Sequence, residues 1–265
     1  MTAPPLPVLQ ARNLALRYPG ADGAVFEGVD LDLARGEVVA VLGASGAGKS
    51  SLLRVLAGLQ PASAGTLLME SAPLSGVHPR VAVAFQDPSL LPWLTLERNV
   101  AFGLDFKHQP ALTDAQRRAR VAQAIDEVGL EHARHLRPAQ LSGGMAQRTA
   151  LARCLARQPS VLLLDEPFGA LDEVTRGEMQ VLLRKVVADF QTAAVLITHD
   201  IDEALLLADR IVLLGGAPGR ILGVWPVHLP QPRADLLPEM GALRLEILTR
   251  LRAALRATRG AAAIA

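Results

Sequence analysis

The sequence is poor in cysteine and in aromatic residues, and it has no excess of charge of either sign. It contains one cysteine, 3% aromatic residues, 27 lysines and arginines, and 26 aspartates and glutamates, for a formal net charge of +1. One cysteine excludes an intramolecular disulfide. Cys154 lies in an apolar helical stretch, where we expect it to be buried in a protein of a reducing compartment. The balanced charge gives no electrostatic argument for nucleic-acid binding.

Long hydrophobic runs are also missing. The first residues, "MTAPPLPVLQ", have no basic stretch followed by an apolar one, so we expect no secretory signal there. Nowhere does the sequence approach the ~18 uncharged apolar residues that cross a bilayer. If the protein works at a membrane, we expect other chains to supply the spans.

The sequence does have ample material for a hydrophobic core. It has 265 residues, of which 50% are hydrophobic, enough for one large domain or for a domain with a sizeable insertion. The stretches "VLQARNLALRY" and "VFEGVDLDLARGE" alternate apolar and polar residues, which is typical of antiparallel strands. "EVVAVLG", "SVLLLDEP", "TAAVLITHD" and "RIVLLGG" are short apolar runs separated by helical stretches, which predicts an α/β fold with a parallel core sheet.

Two segments differ from this alternation. The patterns between residues 95 and 157 are helical, so we predict a helical insertion between two parts of an α/β core, 1–94 and 158–225. The stretch from residue 216 to about 238 is rich in proline and glycine, and we predict a C-terminal tail over 226–265. It ends in an amphipathic helix with apolar positions at Leu243, Ile247, Leu251 and Leu255.

A glycine-rich loop is the most specific motif. "GASGAGKS" at 43–50 fits G-x-x-x-x-G-K-[ST], follows a predicted strand and opens a predicted helix, as this phosphate-binding motif requires. Backbone N–H groups and the helix N-terminus would surround the β-phosphate, with Lys49 on the β- and γ-phosphates and Ser50 on Mg²⁺. The predicted nucleotide-binding residues here are Gly43, Ala44, Ser45, Gly46, Ala47, Gly48, Lys49, Ser50 and Ser51.

Two further stretches carry chemistry that suits a nucleotide. Asp165 and Glu166 end a buried strand, where Asp165 suits the Mg²⁺ shell and Glu166 is placed to polarise an attacking water. In "LSGGMAQR", Ser142 stands at a predicted helix start and is followed by Gly143 and Gly144, which would expose backbone N–H groups to an anion. The sequence therefore has a second anion site about a hundred residues after the first.

The order of these motifs resembles the ATPase subunits of ABC transporters. "GASGAGKS", "FQDP", "LSGGM", "LLLDEP", "GALD" and "THD" occur in family order, and the resemblance covers roughly residues 8 to 225. It implies a P-loop NTPase fold of the ABC type, with an antiparallel β subdomain, a RecA-like ATP-binding core and a helical signature subdomain. It also implies an ATPase that uses ATP and Mg²⁺.

The resemblance assigns further roles. It implies that Tyr18 stacks on adenine, that Gln86 contacts Mg²⁺ or the attacking water, and that His199 contacts the γ-phosphate. It implies a head-to-tail homodimer in which Ser142, Gly143 and Gly144 bind the γ-phosphate of the partner's nucleotide and Asp172 crosses the dimer interface. Met145 stands where glutamine is commonest in the family, and Ala146 where a basic residue is common.

Other stretches are similar to the importer ATPases for nitrate, sulfonates and taurine. These are "FQDPSLLPWLTLERNV", "GALDEVTR", "THDIDEALLLADRIVLL" and "APGRI". The resemblance implies two integral-membrane permease subunits, an indirect periplasmic solute-binding protein, no nucleic-acid partner, and a peripheral location on the cytoplasmic side of the inner membrane. Trp93 either contacts the permease or packs within the insertion.

Several alternatives stay open from the sequence. The solute could be a sulfonate, taurine, nitrate or a thiamine precursor. A related ATPase without transport would usually fuse two ATPase units or insert a long coiled coil, and neither pattern occurs here. A P-loop kinase would lack "LSGG", and an exporter often carries fused membrane spans.

Overall fold

The computed structural model describes residues 7–236 and 238–262. The expectation about the first residues, as far as residue 6, and the outer ends of the predicted domains therefore lie outside the described residues. The chain divides into two compact units. The first comprises the residues up to Val77 and those from Ala193 onward, and the second comprises His78–Thr192.

The described residues form strands and helices in alternation, which confirms the predicted α/β class. The strands are β1 (Leu9–Leu16), β2 (Phe26–Leu33), β3 (Val38–Leu42), β4 (Ala64–Met69), β5 (Ala72–Pro73), β6 (Val81–Phe85), β7 (Val161–Asp165), β8 (Ala193–Thr198), β9 (Arg210–Gly215) and β10 (Arg220–Pro226). The α-helices are α1 (Lys49–Leu56), α2 (Leu96–Ala101), α3 (Asp114–Glu127), α4 (Gly143–Leu155), α5 (Glu173–Phe190), α6 (Ile201–Leu207) and α7 (Gly241–Ala262).

The first unit contains an antiparallel sheet in the order β2-β1-β4-β5. β1 pairs with β2 from Leu9 opposite Leu33 to Leu16 opposite Phe26, and these four residues are all buried. The alternation of apolar and polar residues along both strands places one side of the sheet in the core. This confirms the two antiparallel strands predicted from the sequence.

The same unit contains strands with continuous burial. All five residues of β3 are buried, and β3 pairs in parallel with β8 on one side and β9 on the other. β10 runs antiparallel to β9. Because parallel strands end at the same edge, the segments after β3, β8 and β9 leave this sheet together. That edge carries the glycine-rich loop and His199.

The second unit contains the parallel pair β6 and β7 with helices α2 to α5. Helices α2, α3 and α4 lie in the stretch 95–157, where the pattern is helical. Thr113 and Gln116 form a reciprocal capping box at the start of α3. Cys154, on α4, is 5% exposed, which confirms that it is buried.

The sequence pattern does not predict β4, β10 or the two-residue strand β5. β4 begins with Ala64 and Gly65, which are weak strand formers, and β10 contains a glycine and ends in proline. Both pair with a neighbour that has a clear strand pattern, so the tertiary pairing overrides weak local preference. In the described part of the chain, no helix is long and apolar enough to span a bilayer.

Candidate functional site

The glycine-rich loop leaves β3 and enters α1 in the conformation that a phosphate loop requires. Gly46 and Gly48 have φ angles of +83° and +91°, which glycine adopts without strain. A Cβ at Gly43 would lie 2.3 Å from the carbonyl oxygen of Leu214. Gly46 and Gly48 therefore need to be glycine because of their backbone conformation, and Gly43 because it packs closely on β9.

The start of α1 is suited to an anion. Gly48 is its N-cap and has no side chain with which to cap the first-turn N–H groups, and the first turn has no acidic residue. The N-terminus of a helix carries partial positive charge, and its N–H groups point outward along the axis. A phosphate group would supply the acceptor oxygens that a capping side chain supplies elsewhere.

Lys49 lies inside the loop. Its side chain is 7% exposed, and its ammonium group donates to the carbonyl oxygens of Gly43 and Ala44 at 2.9 and 3.0 Å. The loop carbonyls thus hold the cation over the turn. A phosphate would exchange these neutral acceptors for charged ones, which form stronger hydrogen bonds.

In the second unit, Gln86 and Glu166 leave adjacent strands side by side. β6 and β7 are in register, with Phe85 opposite Asp165, so the residues that follow them, Gln86 and Glu166, leave the same edge. Asp165 and Glu166 are partly exposed and Gln86 is exposed. The structure therefore groups three of the predicted site residues at one strand edge.

The backbone at Glu166 is unusual. Its φ angle is +46°, in the left-handed region that residues with a Cβ adopt rarely and at a cost. The peptide carbonyl of Glu166 accepts a hydrogen bond from the Gly169 N–H at 3.2 Å, which closes the turn. This conformation redirects the chain immediately after the strand.

The predicted second anion site has the geometry of a capped helix start. Ser142 is the N-cap of α4, and its hydroxyl oxygen accepts from the Met145 N–H at 3.2 Å. A hydroxyl that accepts in this way keeps its own proton to donate to a ligand. Ser142 and Gly143 are exposed, so the helix start is accessible.

Gly144 connects this helix start to the next one. A Cβ at Gly144 would lie 2.5 Å from Cγ2 of Thr175, on the first turn of α5. Asp172 is the N-cap of α5 and accepts from the N–H of Thr175 at 3.0 Å and from its hydroxyl at 2.7 Å. These bonds favour the carboxylate and lower the pKa of Asp172 below its ordinary value. Asp172 is exposed.

Two residues of α4 that the sequence analysis did not single out hold the segment around Gln86. Gln147 is 4% exposed and donates to the carbonyl oxygen of Phe85 at 3.3 Å. Arg153 donates to the carbonyl oxygens of Pro88 and Ser89 at 2.8 and 3.1 Å. Helix α4 therefore fixes the backbone on both sides of Gln86. No local sequence pattern predicts these hydrogen bonds, because they link residues more than 60 positions apart.

The remaining predicted residues lie on exposed turns. His199 is exposed and stands between the end of β8 and Asp200, the N-cap of α6. Tyr18 is 37% exposed just after β1, and its carbonyl accepts from the Ala21 N–H. Trp93 is 67% exposed, so the interpretation that it packs within the insertion is wrong.

Comparison with known proteins identifies the family. The model of the ABC transporter family matches residues 26–169, more than half of the chain. The chain is 48% identical to the aliphatic sulfonates import ATP-binding protein SsuB 1 of Xanthomonas axonopodis pv. citri, over 83% of this chain and 86% of that protein. It is 40% identical to the nitrate transport protein NasD of Klebsiella oxytoca, over 86% and 88%.

A third relative is much longer than this chain. The bicarbonate transport ATP-binding protein CmpC of a Synechocystis species is 45% identical over 86% of this chain, which spans 35% of that protein's length. The transport role of that longer protein therefore supports a proposal for this chain and no more.

Solved structures agree with the family. The structure of cbiO1 from Clostridium perfringens, described as part of the ABC transporter complex cbiONQ, has a TM-score of 0.77 at 27% identity and covers 91% of this chain and 95% of its own. A dimeric bacterial ABC transporter cassette has a TM-score of 0.71 at 29% identity and covers 84% and 100%. The predicted P-loop NTPase fold of the ABC type is confirmed. The chain belongs to the ABC transporter family, as an ATP-binding subunit with the fold of an ABC ATPase.

Proposed function

We propose that this chain is the ATP-hydrolysing, energy-coupling subunit of a bacterial importer for small anions. The observation that carries the proposal is the phosphate loop, with its uncapped helix start and the buried ammonium group of Lys49. The names of the relatives support the direction and the solute class, since sulfonates, nitrate and bicarbonate are all small anions.

The proposed roles follow the chemistry of each side chain. The residues 43–51 bind the phosphates, and Tyr18 stacks on adenine. Glu166 accepts a proton from the attacking water, Gln86 orients that water, and His199 donates to the γ-phosphate. Since phosphoryl transfer depends on positioning and on charge neutralisation, these groups need little covalent chemistry of their own.

Bound Mg²⁺ would neutralise charge on the β- and γ-phosphate oxygens. Its proposed ligands are Ser50, Gln86 and Asp165, all oxygen donors of the kind that Mg²⁺ prefers. Among the residues that the structure describes, no group of three histidine, cysteine, aspartate or glutamate side chains could hold a metal ion. The available donors therefore fit Mg²⁺ bound mainly through phosphates, waters and one carboxylate, which is its usual coordination in nucleotide sites.

Two such chains are proposed to act together. Ser142, Gly143 and Gly144 of one protomer would bind the γ-phosphate of the nucleotide on its partner, with Asp172 at the same interface. The dimeric form of a related cassette supports this arrangement. ATP would then hold the dimer closed, and loss of the γ-phosphate would release it.

The proposed partners are two integral-membrane permease subunits and, indirectly, a periplasmic solute-binding protein, with the chain bound peripherally on the cytoplasmic side of the inner membrane. The relation to a part of the cbiONQ transporter complex supports assembly with other chains. The exposed indole of Trp93 supports a contact with the permease in this region, since tryptophan is enriched at interfaces.

Growth of a deletion strain tests the function and the solute class together. Taurine or an alkanesulfonate is the sole sulfur source in one arm, and nitrate the sole nitrogen source in the other. We expect growth on one of these anions to be lost, and to be restored by the wild-type gene but not by Lys49→Ala. Purified wild-type protein must also hydrolyse ATP, and Lys49→Ala must not. Absence of ATP hydrolysis by the wild type with its permease would overturn the proposal, and normal growth in both arms would overturn sulfonates and nitrate as the solute.

A further inference from the structure

The described residues of the C-terminal tail beyond β10, 227–236 and 238–262, contact both ends of helix α6. Arg233 holds the end of the helix. The residue is 3% exposed, and its guanidinium donates to the carbonyl oxygens of Leu205 and Ala208 at 3.1 and 2.5 Å. The last carbonyls of a helix have no partner within the helix, so a buried arginine there replaces a cap.

The same guanidinium also fixes the path of the tail. It donates to the carbonyl oxygens of Val227 and Leu229 at 3.0 and 2.8 Å. Nearby, the amide of Gln231 donates to the carbonyl oxygen of Leu206 at 2.8 Å. The first part of the tail and the end of α6 are thus tied through one buried side chain.

Arg244, on α7, holds the start of α6. Its Nε and one terminal nitrogen contact the two carboxylate oxygens of Asp202 at 2.5 and 3.1 Å, which is a two-pronged pairing with defined direction. Both side chains are exposed to solvent. Such a pair contributes little to overall stability, but it sets an angle between the two helices.

The start of α6 is directly connected to His199. Asp200 caps the helix by accepting from the N–H groups of Asp202 and Glu203 at 2.8 and 3.2 Å, and its own N–H donates to the hydroxyl of Thr198 at 3.0 Å. His199 is the single residue between Thr198 and Asp200. A rotation of α6 therefore changes the backbone angles of His199, because β8 on its other side is fully buried.

α7 also reaches the phosphate loop. Ile247 is fully buried. Further along the helix, Leu251, Ala254 and Leu255 line a cavity of about 490 Å³ together with residues 44–47 of the loop. One helix thus borders the phosphate loop and, through Arg244, contacts α6, which begins two residues after His199.

We infer that Arg244 is a positioning residue for ATP hydrolysis, and that the tail, which Arg233 holds on the end of α6, sets the orientation of His199 through that helix. The inference rests on the proposed function. It assigns to the tail a role in the rate of the chemical step rather than in ATP binding, because neither arginine is part of the phosphate loop.

Arg244→Gln is the test variant, with Arg252→Gln as its matched control. Both remove one positive charge from an exposed side chain of α7. We expect Arg244→Gln to lower kcat about three- to tenfold and to leave KM for ATP within about twofold, the pattern of an interaction made in the transition state. Arg252→Gln should retain wild-type kinetics, and the thermal midpoints of all three proteins should agree.

A second measurement asks whether Arg244 acts through His199. In a His199→Ala background, single-turnover rates at high enzyme concentration should be the same with and without Arg244→Gln, since the group to be positioned is gone. An equal loss in that background, a rise in KM alone, or the same loss in Arg252→Gln would overturn the inference. If the wild type hydrolyses ATP and Arg244→Gln has the same kinetics, this inference is overturned and the proposed function stands. If the wild type itself is inactive, the proposed function is overturned.

Discussion

Two adjacent glycines, Gly143 and Gly144, have different surroundings. A Cβ at Gly143 would meet nothing within 4 Å, whereas one at Gly144 would lie 2.5 Å from Cγ2 of Thr175. We expect Gly144→Ala to lower the free energy of unfolding by about 1–3 kcal/mol, as overpacking does. Gly143→Ala should be neutral or stabilising, since alanine favours a helix. Urea unfolding measures both.

Thr175→Ser identifies the clash as the cause. Serine lacks the methyl group but keeps the hydroxyl that donates to Asp172. Adding Thr175→Ser to Gly144→Ala should therefore recover most of the lost stability. Equal stability of Gly144→Ala and Gly143→Ala would contradict the close contact between Gly144 and Thr175 at the starts of α4 and α5.

Cys154 gives a single-site measure of burial. Burial raises the pKa of its thiol from the ordinary 9.0 to about 11. The stabilising contribution of the neutral thiol is therefore complete below about pH 9 and is lost as the pH rises toward 11. At pH 8 we expect alkylation by iodoacetamide to be at least about a hundredfold slower in the native protein than in urea.

Glutathione under the same conditions controls for the reagent, and the chain's one cysteine makes the signal unambiguous. Native labelling as fast as that of glutathione would contradict the buried position on α4. Labelling should accelerate only when the protein unfolds or when the pH approaches the raised pKa.

At the level of single residues, the sequence predicts groups whose motif is local. The phosphate loop is eight consecutive residues, and its glycines follow from backbone geometry that any such loop shares. Arg233 and Gln147 are different, since each donates to a carbonyl oxygen at least 25 positions away in the sequence. Arg233 donates to those of Leu205 and Ala208, and Gln147 to that of Phe85. Their roles depend on tertiary packing, which leaves no periodic pattern along the chain.

At the level of elements, a buried amide organises the loop that carries Trp93. Asn99, on α2, is fully buried. Its carbonyl oxygen accepts from the Leu91 N–H at 2.8 Å, and its amide nitrogen donates to the carbonyl oxygens of Leu91, Leu94 and Thr95 at 3.1–3.2 Å. One side chain therefore closes the loop from residue 91 to residue 95.

We expect Asn99→Ala to lower the free energy of unfolding by about 2–4 kcal/mol, because it removes the buried amide that binds the Leu91 N–H and the Leu94 carbonyl oxygen. Hydrogen exchange should rise specifically in residues 88–95. Trp93→Ala is the control, since an indole that is 67% exposed contributes little to folding. A large loss of stability in Trp93→Ala, or none in Asn99→Ala, would contradict this account of the loop.

The elements that the sequence predicts are those with a clear local pattern of residues. β3 and β8 are short apolar runs. At the start of α3, Thr113 and Gln116 have the spacing of a capping box, and the structure shows the corresponding reciprocal pair of hydrogen bonds. The sequence does not predict β4 because its second residue is Gly65, which has a φ angle of +89° and packs against the backbone of Asn13. There the partner strand, rather than the local sequence, determines the conformation.

At the level of the whole molecule, each chain contains two helix starts suited to phosphate, on α1 and α4. The first has an N-cap without a side chain, and the second has the hydroxyl of Ser142 available as a donor. One γ-phosphate bound by both kinds of helix start would join two copies of the chain. Each nucleotide would then lie between the start of α1 in one copy and the start of α4 in the other. The predicted consequence is that the dimer persists for as long as the γ-phosphate does.

Glu166→Gln tests this consequence, because the amide cannot accept a proton from water but keeps the size of the carboxylate. We expect this variant to bind ATP, to turn it over at least about a hundredfold more slowly than the wild type, and to elute as a dimer with ATP and as a monomer with ADP. Ser142→Arg in the same background should bind ATP but stay monomeric, because the larger cation blocks the second helix start. Light scattering on the eluting peaks measures the mass. A monomer for Glu166→Gln with saturating ATP would refute the shared site, and so would a dimer that Ser142→Arg leaves intact.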